Sequence, residues 1–275
     1  MALSVATNIG ALAASKAASS VNSSMETSMS RLSTGKRINS AADDSAGLAI
    51  ASRLTSEARG LDMAARNAAD AQAMINTIES SHSEIQNILQ RMRELAVQGA
   101  NDTNGTDDRT NIRTELTELH EEIDAIATQT KWAGQDLISS ASTFKFQTGD
   151  EEDEQLTVAT TAIAASSLSV GSTEVGSLTT SGSFTAFITT VNNAISSIAS
   201  YRAEYGANSN RLDHVMANLA TNSESVKASL GRIEDTDYAA ETTELAKSQI
   251  LQQAATSMLA QANASKQTIL SLIQG

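Results

Sequence analysis

Residues 61–99 read LDMAARNAAD AQAMINTIES SHSEIQNILQ RMRELAVQG, and their spacing decides the fold. Leu61, Ala64, Ala68, Ala71, Ile75, Ile78, His82, Ile85, Leu89, Met92 and Ala96 follow one another at alternating intervals of three and four residues. That unbroken rhythm is the seam of a helix packed against other helices along its length. At the helical rise, the element is about 55 Å long. Gly99 and the polar run Asn101-Asp102-Thr103-Asn104-Gly105 carry the chemistry of a helix stop and a turn.

Outward from this stretch, a second helix is predicted from Asp107 or Asp108, acids suited to a helix N-terminus. Its seam is Ile112, Leu116, Leu119, Ile123 and Ile126, and the short connection makes the two helices an antiparallel pair. A third long helix carries Val191, Ile195, Ile198, Tyr205, Leu212, Met216, Leu219, Val226, Leu230 and Ile233. Arg202, Ser209 and Ser223 interrupt that seam, and polar seam residues can fix register. Between the helices, Phe144-Lys145-Phe146-Gln147 and Leu156-Thr157-Val158 read as short strands around the acidic loop Asp150–Glu154. The Ser-, Thr- and Gly-rich stretch from Ser166 to Ser183 reads as turns and weak strands. The fold class is therefore mainly α, a long-helix coiled-coil bundle with a small β-hairpin region.

The two ends differ in kind from the middle. From Ile250 to Ile273, apolar and small residues occur on nearly all sides, among them Ile250, Leu251, Met258, Leu259, Ile269, Leu272 and Ile273. A helix apolar all round needs burial all round. The N-terminal stretch, with Leu3, Val5, Ile9, Leu12, Val21, Met25, Met29 and Leu32, offers one partner, which covers one face. The remaining faces must meet other copies of the chain or order only on assembly.

Charge and composition agree with this division. The 275 residues carry a formal net charge of −13, which argues against nucleic acid as a partner. Residues 101–155 hold fourteen acids against four bases, whereas residues 239–275 balance at two of each. All eight aromatic residues lie between Trp132 and Tyr238. Cysteine is absent, which excludes disulfides, thiol catalysis and thiolate metal sites, and proline is absent, so nothing interrupts a long helix. The N-terminal stretch has no signal-peptide pattern, and no apolar run of about 18 residues spans a membrane. On those grounds alone the protein reads as cytoplasmic.

Sharper chemistry finds little support. His120-Glu121 could open a zinc-protease motif, but Asp124 stands where its second His belongs. The Asp102–Asp107 run has no glycine at the sixth place of a calcium loop, and Arg113 occupies the place of its closing Glu. No nucleophile has a base beside it, so the chain reads as a non-enzyme without a cofactor or metal. Ser and Thr residues between Ser139 and Thr190 are candidate carriers of O-linked sugars.

The run Leu32-Ser33-Thr34-Gly35-Lys36-Arg37-Ile38-Asn39-Ser40-Ala41-Ala42-Asp43-Asp44-Ser45-Ala46-Gly47-Leu48-Ala49-Ile50 closely resembles the N-terminal signature of bacterial flagellins. Arg232-Ile233-Glu234-Asp235-Thr236-Asp237-Tyr238, Gln249–Ala254 and Leu259–Asn263 resemble the C-terminal signature equally well, and Phe144–Gly149 is similar to the family's first β-element. The resemblance covers roughly residues 1–140 and 186–275. It implies a structural subunit of a flagellar filament serving motility, with an inner terminal-helix domain of residues 1–40 and 235–275. Residues 41–234 would form an outer helical rod with its β-region at about 140–186, joined through Leu32–Asp44 with Gly35 as a hinge. About 55 residues in the middle leave no room for large variable outer domains.

The same resemblance implies export through the flagellum's own channel, which needs no cleaved signal, and so replaces the cytoplasmic reading with a secreted, extracellular one. Implied partners are many copies of the chain, an export chaperone at the C-terminal helix, and the filament cap and hook-associated proteins. Gln90–Gln98 is similar to the flagellin segment read by Toll-like receptor 5, which places Arg91, Leu95 and, on the next helix, Glu115 at recognised positions. Spacing puts Arg91 and Leu95 on one face away from the Leu89, Met92 and Ala96 seam, equally suited to a subunit contact. A hook–filament junction protein and a coiled-coil adaptor are the competing readings.

Overall fold

Long helices without a proline dominate the computed structural model, which describes residues 7–274 apart from the side chains of Gln267 and residues 269–274. Helix α1 spans Ile9–Thr34, α2 Ser45–Gly99, α3 Thr106–Gln129, α4 Ser172–Gly176, α5 Ser181–Glu234 and α6 Tyr238–Gln274. Two antiparallel ladders lie between α3 and α4: β1 (Lys131–Trp132) with β2 (Gln135–Asp136), and β3 (Ser142–Gln147) with β4 (Gln155–Thr160). The chain divides into two units, Met1–Glu57 with Ser225–Gly275, and Ala58–Glu224.

In the first unit α1 packs on α6. The Asn8 side chain caps α1 by accepting from Ala11 N–H at 3.1 Å. Gly35 ends it at φ 73°, a left-handed conformation that a side chain would strain, with its N–H donating to Arg31 C=O. The expected hinge is thus a helix stop, and it is tied down: Thr236 N–H donates to Gly35 C=O at 3.0 Å, and Arg37 N–H to Glu234 C=O. Lys36 also forms an ion pair with Glu234. Asp43 accepts from the Asn39 and Ser40 N–H groups, which holds its carboxyl below the usual carboxylate range. Asp44 then caps α2 by accepting from Gly47 N–H at 2.9 Å.

The second unit holds the main core. All eleven residues of the predicted seam from Leu61 to Ala96 are buried. On α3, Ile112, Leu116 and Ile123 are buried as expected, with His120 and Ala127 beside them, while Leu119 and Ile126 are partly covered. Helix α5 starts earlier than its seam suggests, because Phe184 and Phe187 are already in the core. The strands fall where the sequence places them, with Phe144 opposite Val158 and Phe146 opposite Leu156. A further hairpin, β1–β2, turns through Ala133 and Gly134, both at positive φ, as a two-residue primed turn requires.

The stretch from Ser166 to Ser183 departs from expectation. It contains turns, α4 and the start of α5, and no strand among its described residues. Its Leu168, Val170, Val175 and Leu178 are buried in the core, so hydrophobic anchoring rather than strand pairing orders it. No helix among the described residues is long and apolar enough to cross a membrane.

Candidate functional site

The pairing of α1 with α6 combines small side chains with a few larger ones. The covered positions of α1 are Ala11, Ala14, Ala18, Val21, Met25, Ser28 and Leu32, again at intervals of three and four. Those of α6 are Glu241, Leu245, Ser248, Gln252, Ala255, Leu259, Ala262 and Lys266. Polar contacts set the register across this seam: Gln252 donates to Asn22 Oδ1 at 2.7 Å, Asn8 to Ala262 C=O at 3.0 Å, and Tyr238 to Leu32 C=O at 3.3 Å. Arg31 stands 3.6 Å from Glu241.

Several large aliphatic side chains face away from the seam. Ile9 and Leu12 are each 71% exposed, Ile250 67% and Met258 61%, with Met29 and Leu251 also exposed. Of the residues read as assembly contacts, Ile9, Leu12, Ile250, Leu251 and Met258 therefore project outward, and Leu259 lies in the α1–α6 seam. Leu3 and Val5 lie outside the described residues. Ile269, Leu272 and Ile273 lie on α6, with side chains outside the described set. Each large aliphatic residue left in water forgoes about 1.5–3 kcal/mol that full burial would supply.

In the second unit, Arg91 reaches across from α2 to α3, with Nε and Nη2 donating to Glu115 Oε1 at 2.9 and 2.7 Å, and Nη1 to Glu94 at 3.1 Å. Arg91 and Glu115 are both exposed. Leu95 is not: it is 2% exposed and belongs to the core. This corrects the expectation that Leu95 lies away from the packed face. Helix α2 buries two adjacent stripes, Leu89, Met92 and Ala96 beside Ile88, Leu95 and Gly99, because it packs against more than one element. Residues four apart differ by about 40° around a helix, enough to put Arg91 on the rim and Leu95 beneath it.

Two of the three polar interruptions of α5 have partners on α2. Arg202 donates to Glu79 at 2.8 Å and to Gln86, and Ser223 donates to Asp62 at 2.8 Å, each linking α5 to α2. His82 completes this layer. It is fully buried, stacks on Tyr205 with ring centroids 5.3 Å apart, and neither ring nitrogen has a partner. Burial, with the Arg202 guanidinium nearby, pushes the His82 imidazole down to about 4. Asp124, at the place of a zinc-binding His, accepts from Ala165 N–H at 2.7 Å and orders the loop after β4.

The described terminal helices are thus paired with each other and leave large aliphatic groups facing outward, in a chain whose other described elements are mostly long helices. The chain matches the bacterial flagellin N-terminal helical region over residues 5–143 and the bacterial flagellin C-terminal helical region over residues 188–273. Flagellin B of Vibrio anguillarum is 32% identical over 376 aligned positions, covering 99% of this chain and 100% of that protein. The flagellin of Bacillus subtilis (strain 168) is 35% identical over 302 positions, covering 97% of this chain and 98% of that one. The crystal structure of Bacillus cereus flagellin aligns at 33% identity and a TM-score of 0.49, over 56% of this chain and 88% of that one. The chain belongs to the bacterial flagellins. It is a structural, non-enzymatic subunit of the extracellular flagellar filament, and its 275 residues make it a short member.

Proposed function

We propose that the filament's inner layer is built from residues 1–40 and 235–275, and that subunits join through the outward faces of α1 and α6, with residues 41–234 as the outer rod. The observation that carries this reading is the exposure of Ile9, Leu12, Ile250 and Met258, which the α1–α6 seam leaves uncovered. The same apolar faces need cover before assembly, which suits an export chaperone on α6, and they suit the cap and hook-associated proteins at the filament's ends. Monomer seeded with flagellar fragments should elongate into filaments under the electron microscope, and a parent chain that adds nothing to the seeds would refute the reading.

The exposed Arg91–Glu115 pair supports a second role, recognition of the monomer by Toll-like receptor 5. The burial of Leu95 sharpens its test. Arg91→Ala should reduce receptor signalling while changing monomer stability by less than about 1 kcal/mol, since exposed ion pairs contribute little. Leu95→Ala should instead lower stability by about 2–5 kcal/mol through a core cavity. Reporter-cell signalling and urea unfolding on both variants separate the effects. Undiminished signalling by Arg91→Ala would remove the receptor assignment.

A further inference from the structure

The second unit holds two exposed arginines on one face of α2, with Asp62 between them accepting from Ser223, and an acidic stripe on α3 that they cannot reach within one subunit. Arg59, Met63 and Arg66 recur at intervals of four and three on α2, so they share one face. All three are exposed, Met63 at 48%, and neither arginine forms an ion pair within its subunit. Several other cations of this unit are already engaged: Arg91 with Glu115, Arg202 with Glu79, and Lys131 with Asp136. On α3, Glu118, Glu121 and Glu122 lie within about one turn, all exposed and without a cationic partner. Like charges at such spacing weaken a helix by a few tenths of a kcal/mol unless a cation meets them.

Two bonds fix where these stripes lie along α2. Arg91 is level with Glu115, and Ser81 bonds Thr130 at 2.9 Å, so α3 runs antiparallel beside the second half of α2. Glu118–Glu122 are then level with about residues 86–89 of α2, some 24 residues beyond Met63. At the helical rise this is a separation of about 35 Å, far beyond side-chain reach.

We propose that the Arg59–Met63–Arg66 stripe docks on the Glu118–Glu122 stripe of a second copy displaced by about 35 Å along the rod. The two patches differ, so the contact is heterologous, and repeating it generates an open array rather than a closed pair. Subunits of net charge −13 repel one another unless acids of one meet cations of the next, which this docking provides. Met63 lies between the arginines and supplies an apolar centre.

A charge exchange in the full chain tests the contact. Arg59→Glu with Arg66→Glu, and separately Glu118→Arg with Glu122→Arg, should each raise the critical concentration for seeded elongation by about tenfold or more. All four substitutions together should return it to near the parent value. The parent elongating on the same seeds keeps this test separate from the reading of the terminal pair. Normal elongation by either double variant overturns the proposal, as does a folded quadruple variant that gains nothing. Because the chain has no cysteine, copies with Met63→Cys mixed with copies with Glu121→Cys provide an independent measurement should the quadruple variant not fold. Mixed disulfide dimers should form in the filaments under mild oxidation, and their absence overturns the docking.

Discussion

Placing aspartate at Ile250 and Met258 together is expected to abolish filament growth while leaving the free subunit folded. Both side chains already stand in water in the single subunit, at 67% and 61% exposure, so a charge there costs the monomer little beyond helix propensity. In the assembled state each position loses about 1.5–3 kcal/mol of apolar burial. Each also brings a carboxylate into a dry contact, at a cost of several kcal/mol more. The sum exceeds about 4 kcal/mol, which is more than a thousandfold in critical concentration. Seeded elongation measured by pelleting, with circular dichroism and thermal unfolding of the monomer as controls, reads both halves of the expectation. The matched contrast is Leu259→Asp, which falls in the α1–α6 seam and should loosen that pair in the monomer itself. Truncation after Glu244 removes seam and outer faces together and should stop growth equally. Parental growth by the Ile250→Asp/Met258→Asp chain, or by the truncated one, would show that α6 is not an assembly surface.

The division between legible and hidden features follows from what periodicity can express. A single seam such as Leu61–Ala96 is legible because one packed face imposes one rhythm. A helix that buries two neighbouring stripes is read as if it had one, and Leu95 was misplaced for that reason. In the terminal pair the spacing marks apolar residues on several sides without saying which side the pair itself takes. The α1–α6 seam uses Ala14, Ala18, Ser28, Ser248 and Ala255 along with Met25, Leu32, Leu245 and Leu259, and leaves Ile9, Leu12 and Ile250 outside. Nothing in the spacing distinguishes a face reserved for a neighbour from one used at home. The β1–β2 turn escaped notice because Ala133-Gly134 lacks the Asn or Asp that usually marks a primed turn. Around Leu168, Val170 and Val175, abundant Ser and Gly concealed side chains that are fully or nearly buried. Arg202 and Ser223 could be seen to interrupt a seam, but their partners Glu79 and Asp62 lie on another helix.

Acidification should destabilise the second unit through His82, beginning as the pH falls through the ordinary histidine value. Unfolded, the imidazole titrates near 6.5; folded, it is held at about 4 by burial, with Arg202 adding like-charge repulsion. Above pH 6.5 both states are neutral at this site and its contribution is constant. Between pH 6.5 and 4 the unfolded chain takes up a proton that the folded chain refuses, so stability falls as pH falls. The difference in affinity sets the loss at about 3 kcal/mol, complete below about pH 4. Among the described residues, Glu79 Oε1 and Gln86 accept from the Arg202 guanidinium, the buried Glu79 Oε2 has no hydrogen-bond partner, and Tyr205 stacks on the imidazole with Tyr201 tilted beside it. A charged His82 would therefore lie among apolar helix faces with no acceptor on either nitrogen. His82→Leu removes the titration and keeps a seam residue suited to the site. Urea unfolding from pH 7.5 to 4 should show the parent losing about 3 kcal/mol more than the variant, with the divergence starting near pH 6.5. Parallel curves for the two chains would mean that the buried imidazole is not what makes the rod sensitive to acid.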